Sequence, residues 1–581
     1  MASRRSHDRR LIVHRRRRPA RRWRARGLSV NESRRFDFIV VGGGTAGCVV
    51  AARLSEDPGL RVALIEAGGS NQHYSVTTPA SVAAVIAHRE FNWNLNTVPQ
   101  AALRHRRIPV PRGRLLGGTG SMNGMVYHRG HPLDYEDWAG QGLPNWGWAQ
   151  VLPYFTRSEH NDDYPASTYH GRTGPLHVSY VRRPNTMTRT YITAVHSLGF
   201  SLCEDFAGPN PEGVGLRQAT IHRGRRVSTA TAYLQPALAR SNLAIFKNTR
   251  VRRILFEGRR AAGVEAALGN SGSVRIGADQ EVILTSGAIH TPQLLLCSGV
   301  GDASQLADFG ITTVAHLPGV GRNLHDHPAS PVRVHTRSTE AYGLSASTAL
   351  RSIWIALQYL VARSGPLASN VFESVAFLRT SAGLDRPDFQ FVFQPANPPP
   401  PDSWIPRGHG YGISPVLLYP KSRGTVRLVS PDPEAEPLID PKLLDHADDL
   451  RRMVRAVQLC RRILRAPAFS AYRAQEYQPA PEVESDADIE SFIRATTATV
   501  YHPVGTCQMG VGPDAVVDPE LKVRGVDALR VADASVFPSI VGGNTNAPTI
   551  MVAERAADFI LGRASLALAT LDASDAIHQS C

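Results

Sequence analysis

Apolar and polar positions change their period along this chain, and the changes predict its elements. Residues 36–41 (FDFIVV) form a short apolar run ended by glycine, the pattern of a buried parallel strand. After Gly42-Gly43-Gly44-Thr45-Ala46-Gly47, the stretch CVVAARLSED spaces its apolar residues helically, and residues 61–65 (RVALI) make a second apolar run that ends on Glu66. Strand, glycine turn, helix, strand and acid in that order predict a βαβ unit. Residues 345–363 (SASTALRSIWIALQYLVAR) carry helical periodicity, with apolar side chains for a pocket or a partner. Residues 395–406 (PANPPPPDSWIP) read as a loop, and residues 547–561 as a last helix.

The βαβ unit carries chemistry as well as structure. Gly42 permits the tight turn, Gly44 lets the backbone approach a pyrophosphate, and Gly47 lets the helix pack on the strand. The first helical turn, Thr45 and Ala46, then presents its N–H groups to phosphate charge. Glu66 lies nineteen residues past Gly47, followed by Ala67. Its carboxylate accepts hydrogen bonds from ribose hydroxyls and repels a 2′-phosphate. The unit points to an ADP-containing dinucleotide and does not by itself choose FAD over NAD.

Length and composition narrow the class. A chain of 581 residues makes two to four domains at about 150 each. Hydrophobic residues at 42% and charged residues at 20% are those of an ordinary globular protein. Six thinly spread cysteines without a Cys-x-x-Cys pair exclude a disulfide scaffold and a cysteine zinc site. No apolar run approaches the roughly 18–20 residues of a membrane span. The expectation is a soluble, cytoplasmic protein in a reducing compartment, without a secretory signal and with peripheral contact at the inner membrane left open.

The formal charge of +15 belongs mostly to one end. Residues 1–35 hold fourteen arginines against Asp8 and Glu32, a net of +12, which leaves +3 for the rest. As a disordered basic arm this tail suits nucleic acid or anionic lipid; as an Arg-rich, acid-poor leader it suits targeting. Lysines number four among the 65 basic residues, so upstream coding sequence translated into arginine is the favoured reading, with a true start near Val30. No nucleic-acid partner is expected of the folded body.

Four further segments carry a resemblance. Residues 113–136 read GRLLGGTGSMNGMVYHRGHPLDYE, and residues 285–301 read TSGAIHTPQLLLCSGVG. Residues 501–510 read YHPVGTCQMG, and residues 531–554 read VADASVFPSIVGGNTNAPTIMVAE. With the glycine unit, these resemble the glucose–methanol–choline (GMC) family of flavin oxidoreductases, in its choline and alcohol dehydrogenase-like branch, from about residue 36 to about residue 562. The resemblance implies FAD and an α/β fold, a Rossmann-like FAD domain with a second, substrate-binding domain of sheet plus helices. It also implies oxidation of an alcohol by hydride transfer to flavin N5.

The same resemblance assigns residues. Arg114, Gly117, Gly118, Thr119, Asn123, Gly124, Met125 and Val126 would follow the flavin, with Val251 at the adenine. Asp533 and Ala534 would close over the phosphates and ribityl chain, and Asn544 and Thr545 would also bind the cofactor. Some relatives bond the flavin to a histidine just before Asn123. Here that position is Met122, which cannot form the bond, so FAD is expected to be non-covalent.

For catalysis the candidate base is His502, which opens the HPxGT motif. Imidazole can take an alcohol proton at neutral pH. The second polar partner is placed at Asn546, seven residues before Ala553, as a donor to the substrate oxygen; capping the last helix is its structural alternative. His290, His325 and His327 receive no catalytic role, and the HDH run at 325–327 lacks a partner at metal-ligand spacing, so no metal is expected. Cys507 reads as packing, and no G-x-S-x-G elbow supports a hydrolase.

The expected layout is residues 36–325 as the FAD region with a substrate-domain insertion at about 146–214. Residues 326–495 form the substrate domain, 496–562 return to the FAD domain with the catalytic residues, and 563–581 are a tail. The leading function is a dehydrogenase of primary alcohols, choline-like or aliphatic, that passes electrons to a quinone-type acceptor. An oxidase using oxygen is the alternative, and a lyase or light-driven decarboxylase relative is weakened by the lack of cysteine between 297 and 460. A choline ammonium needs a carboxylate or an aromatic cage, for which Glu373 is a candidate without an assigned register. The oligomeric state is left open.

Overall fold

In the computed structural model, which describes residues 34–268, 272–399, 405–473 and 475–571, the first apolar run lies inside the strand Arg34–Val41. The basic tail up to residue 33, the last ten residues and part of the Pro-rich loop lie outside the described residues. Arg34–Val41 is central in a seven-stranded sheet, between Val62–Ile65 and Ser273–Leu284. Leu243–Phe246 extends the sheet beyond Val62–Ile65, and Leu529–Val531 pairs with the end of Ser273–Leu284, all in parallel. The antiparallel strands Arg260–Leu268 and Thr249–Glu257 complete it.

All four residues of Val62–Ile65 are buried, which explains their uninterrupted apolar run. Val62, Leu64 and Ile65 each contribute about 1.5–3 kcal/mol on leaving water, and Ala63 about 0.8 kcal/mol. The helices Thr45–Leu54 and Asn546–Leu561 pack against each other in this core. Gly47 seats the first of these helices on the glycine turn: a Cβ there would stand 1.9 Å from the Gly42 carbonyl oxygen.

A second sheet of eight strands has the order Gln475–Gln478, Val332–His335, Gly410–Leu417, Phe389–Gln394, Ser374–Leu378 and Gly213–Leu216, paired antiparallel. Two short strands, Pro328–Ala329 and Ala498–Thr499, join it off that path. Period-two alternation gives this sheet two jobs. Phe389, Phe391 and Phe393 enter a core with Met453 and Val457 of the helix Ala447–Leu464, while Gln390, Val392 and Gln394 line a cavity beneath the other face. The mixed α/β class expected from the sequence is the one observed.

One boundary differs from the expected layout. Trp148, Val151, Leu152 and Phe155 of the helix Trp148–Ser158, with Leu176 and Val178, bury in the core of the first sheet. Met187 and Tyr191 of the helix Thr186–His196 join the second core instead. Both helices are amphipathic, and an apolar face read from sequence does not say which sheet it will cover.

Candidate active site

A cavity of about 430 Å³ runs between the two sheets. At one end lies the glycine turn. Gly42 has φ +99°, a left-handed conformation, and a Cβ on it would meet the Thr285 carbonyl oxygen at 2.8 Å. The helix Thr45–Leu54 begins there with no side-chain cap, so its first N–H groups are available to an anion, and Gly44, Thr45 and Ala46 line the cavity. Glu66 accepts from Gly43 N–H at 2.8 Å through one oxygen and from Gly68 N–H at 2.7 Å through the other. Each oxygen keeps a further lone pair for a hydroxyl. Burial pushes the Glu66 carboxyl up to about 7, against the pull of those two N–H groups and Arg114. Uncapped turn, side-chain-free cradle and paired carboxylate together fit the ADP half of a dinucleotide.

Most residues assigned from the sequence converge here. Gly42, Gly44, Thr45, Ala46, Glu66 and Ala67 line the cavity at this end, and so does Val251. Gly118, Thr119, Asn123, Gly124 and Val126 form its middle wall, and a Cβ on Gly118 would stand 2.8 Å from Gly44 Cα. Met122 lines the cavity as well. Asp533 and Ala534 line it near the glycine turn; Asp533 accepts from Gly287 N–H, Thr291 Oγ1–H and Ser535 N–H, so its carboxylate organises the loop backbone. Four assigned residues stand behind the wall. Gly47 is the packing contact described above, Gly117 is the turn before Gly118, Met125 is buried against Ala219 and Ile221, and the Arg114 guanidinium lies 4.9 Å above the Trp93 ring.

At the other end stands His502. Antiparallel pairing of Pro328–Ala329 with Ala498–Thr499, continued by His325 with Val504, lays the HDH segment beside the HPxGT motif. Asp326 Oδ1 accepts from the backbone N–H of both His327 and His502, at 2.7 and 2.8 Å. Tyr501 takes φ +68°, and its carbonyl accepts from Arg112 Nη2 at 2.6 Å.

The hydrogen bonds fix the tautomers. His327 Nε2 lies 2.9 Å from the Leu418 carbonyl oxygen and must carry the proton, which leaves Nδ1 as an acceptor. His502 Nδ1 donates to it at 3.0 Å, and the lone pair of His502 therefore sits on Nε2. Asn544 Nδ2 stands 3.1 Å from that Nε2, and Gln390 Nε2 donates to the Asn544 carbonyl oxygen at 3.4 Å, which orients the amide. Burial holds the His502 imidazole well below its ordinary pKa, aided by His327, Arg112 and Arg217. Burial likewise brings His327 down to about 4.

The second polar partner is where the structure departs from the sequence assignment. Asn544, not Asn546, is hydrogen-bonded to His502. Asn546 is already the first residue of its helix, and its carbonyl oxygen accepts from Thr45 Oγ1 at 2.9 Å, tying the two helix starts together. That helix also begins without a side-chain cap, at Thr545 beside the cavity. His327, Asp326, Arg112 and Arg217 are site residues that sequence reasoning passed over. The HDH run was visible, but its pairing with a segment 175 residues away was not. His325 is structural: it bonds the Asn323 carbonyl and accepts from Ile540 N–H. His290 lines the cavity, and its ring lies 4.5 Å from that of Trp93.

Comparison with known proteins identifies the family. GMC oxidoreductase family models match residues 36–329 and 420–553. An alcohol dehydrogenase [acceptor] of Pseudomonas putida is 41% identical over 540 residues, covering 93% of this chain and 98% of its own. An oxygen-dependent choline dehydrogenase of Rhizobium etli is 42% identical over 536 residues, covering 91% and 96%. Among solved structures, pyridoxine 4-oxidase from Mesorbium loti superimposes with a TM-score of 0.80 at 32% identity, over 90% of this chain and 98% of that one. A formate oxidase of Aspergillus oryzae RIB40 gives 0.84 at 28%, over 91% and 98%. With both halves of the family pattern matched and their motifs gathered on one cavity, this chain belongs to the FAD-dependent GMC oxidoreductases.

Proposed function

We propose that this enzyme oxidises a primary alcohol to the aldehyde, with His502 as the base. The observation that carries the reading is the chain Leu418 C=O, His327, His502, Asn544, which turns the imidazole lone pair and an amide donor to one another across 3.1 Å, where a substrate hydroxyl can take both. A hydroxyl placed against both donates its proton to His502 Nε2 and accepts from Asn544 Nδ2. As the proton moves, His502 Nδ1–H becomes a stronger donor and His327 Nδ1 steadies the imidazolium. Asn544 holds the oxygen as negative charge develops on it. FAD, when bound, supplies the acceptor for the hydride that leaves the carbinol carbon.

Glu66 and the Thr45–Ala46 turn would hold the ADP half, while residues 118–126 and the uncapped start of Asn546–Leu561 would flank the ring half, where that helix end favours negative charge. Met122 has no nucleophile for a flavin bond, which supports non-covalent attachment. Anaerobic mixing of the yellow enzyme with a panel of alcohols tests the reading by bleaching of the flavin. Reoxidation by a quinone analogue or by oxygen then separates dehydrogenase from oxidase, an alternative kept by the name of the Rhizobium etli relative.

For the acceptor, a quinone-type molecule reached at a membrane surface is the reading with structural support. No helix of the described residues is long and apolar enough to cross a membrane. The helix Ala349–Ala362, however, turns Leu350, Ile353, Trp354, Leu357, Leu360 and Val361 outward on one arc, Leu350 at 84% and Trp354 at 66% exposure. Tyr359, on the opposite face, donates to the Gly224 carbonyl of a hairpin that exposes Arg223 and Arg225, and Arg351 is exposed on the helix itself. An apolar stripe with basic neighbours suits an anionic bilayer surface. A second copy of the chain would oppose these like charges.

A further inference from the structure

The cavity contains one arginine without a counter-ion. Arg217 follows the strand Gly213–Leu216, lines the cavity and is 4% exposed. Its Nε donates to the Phe372 carbonyl at 2.7 Å, and its buried Nη1 finds no hydrogen-bond partner among the described residues. Burial pushes its pKa down to about 9, and no carboxylate acts against that. The other arginines of the cavity wall are balanced: Arg250 and Arg252 pair with Glu434, and Arg112 lies in the field of Asp326. A guanidinium stays charged in a protein, and a buried charge left unpaired is strongly unfavourable.

Among the described lining residues no carboxylate is free for Arg217, and besides the Phe372 carbonyl it meets the Phe372 ring, 6.0 Å from the guanidinium. The carboxylates among the described lining residues are Glu66 and Asp533, whose oxygens are engaged by N–H and O–H groups around the glycine turn. Glu373, the candidate carboxylate for a choline ammonium, is 1% exposed and outside the lining. It accepts from Asn185 N–H, Thr188, Tyr342 and Ser369, so its charge is spent on the protein's own donors. Arg217 is, by contrast, among the charges that act on His502.

We propose that Arg217 binds a carboxylate of the substrate, so that the preferred substrate is a primary alcohol bearing a carboxylate, a hydroxy acid, rather than a quaternary-ammonium alcohol or a plain alkanol. The proposal rests on the alcohol-oxidation reading above. With Nε held by Phe372 and Nη1 closed off from the cavity, Nη2 is the donor left to take one oxygen of a carboxylate, a charge-assisted hydrogen bond. A site built around such a pair discriminates against an analogue that leaves the buried charge unmatched, and it repels an ammonium outright.

Anaerobic stopped-flow reduction of the full-length, flavin-loaded enzyme tests this with three probes: ω-hydroxy acids of increasing chain length, 1-alkanols of the same lengths, and choline. The hydroxy acid of matching length is expected to reduce the flavin most efficiently. Arg217→Leu should lower the ratio of hydroxy-acid to 1-alkanol efficiency on the order of 100-fold, whatever it does to both through His502, and Arg217→Lys should fall between. Binding of the corresponding alkanoate, followed by perturbation of the flavin spectrum, should weaken by a similar factor in Arg217→Leu and needs no turnover. Preference of the wild type for alkanol or choline, or an equal loss on every probe in Arg217→Leu, overturns the carboxylate site and leaves alcohol oxidation standing. Alkanoate binding that depends on Arg217, without reduction by any alcohol, upholds the site and overturns the oxidation reading instead. If Arg217→Leu does not retain flavin, Arg217→Lys carries the same comparison.

Discussion

His327 Nδ1 and His502 Nδ1 meet at 3.0 Å, with their rings nearly perpendicular at 89°. Two neutral imidazoles can share that bond in one sense when the far nitrogen of His327 is committed to a carbonyl, and here it is committed to Leu418. The base is therefore preset with its lone pair on Nε2.

The pH dependence follows from this pair. Burial and neighbouring positive charge hold His502 well below its ordinary value, so the folded enzyme has its base neutral throughout the neutral range. The kcat/KM for anaerobic flavin reduction should stay level from about pH 6.5 upward and fall only in acid, where protonation removes the base. A profile centred near the ordinary histidine pKa would show that His502 is not the group that titrates.

His502→Ala should slow flavin reduction by ~10²–10⁴-fold, roughly 3–5.5 kcal/mol of barrier, and leave flavin bound. His327→Leu strands the His502 Nδ1–H in a buried site, at about 1–3 kcal/mol, and should slow reduction by roughly 5–150-fold. Stopped-flow traces of the two variants check both values.

Asn544→Ala and Asn546→Ala separate two neighbours with different duties. Loss of Asn544 removes a donor to the reacting oxygen and should slow reduction on the order of 10²–10³-fold. Loss of Asn546 breaks the bond from Thr45, a net interaction of about 1 kcal/mol, and should show in thermal stability more than in the rate of reduction. The reverse ranking would return the substrate-oxygen role to Asn546.

Acid precipitation should leave a colourless pellet and a yellow supernatant, because Met122 stands where a flavin-bonding residue would be needed. Flavin held in the pellet would disprove non-covalent binding.

Wild-type enzyme should co-sediment with anionic phospholipid vesicles, less at high salt, and Trp354→Glu should abolish most of that binding without changing reduction by alcohol. Equal sedimentation with purely zwitterionic vesicles would remove the electrostatic part of the argument.

The glycine turn, the strand on either side of it and Glu66 were legible in the sequence because their chemistry is local. A turn, a helix start and an acid at fixed spacing build half a dinucleotide site within thirty-odd residues, and the resemblance in residues 113–136, 501–510 and 531–554 supplied the family and His502. Asn544 and Asn546 show where local reading stops. They sit two residues apart in one motif, and the start of the helix, together with the Thr45 hydroxyl across from it, decides which side chain faces His502.

The same holds for the groups that no motif announced. His327 acquires its role from an antiparallel pairing across 175 residues, and Arg217 from a sheet whose alternation turns one face to the helices and the other to the cavity. Glu373, free to be a ligand in the sequence, is consumed by four donors brought in from other elements. The amino-acid sequence by itself determined the cofactor class and the candidate base, since those depend on short-range backbone and residue type. The partner of the base, its tautomer and the charge of the cavity were decided by tertiary structure, because hydrogen bonds and burial are properties of neighbours that the chain order does not contain.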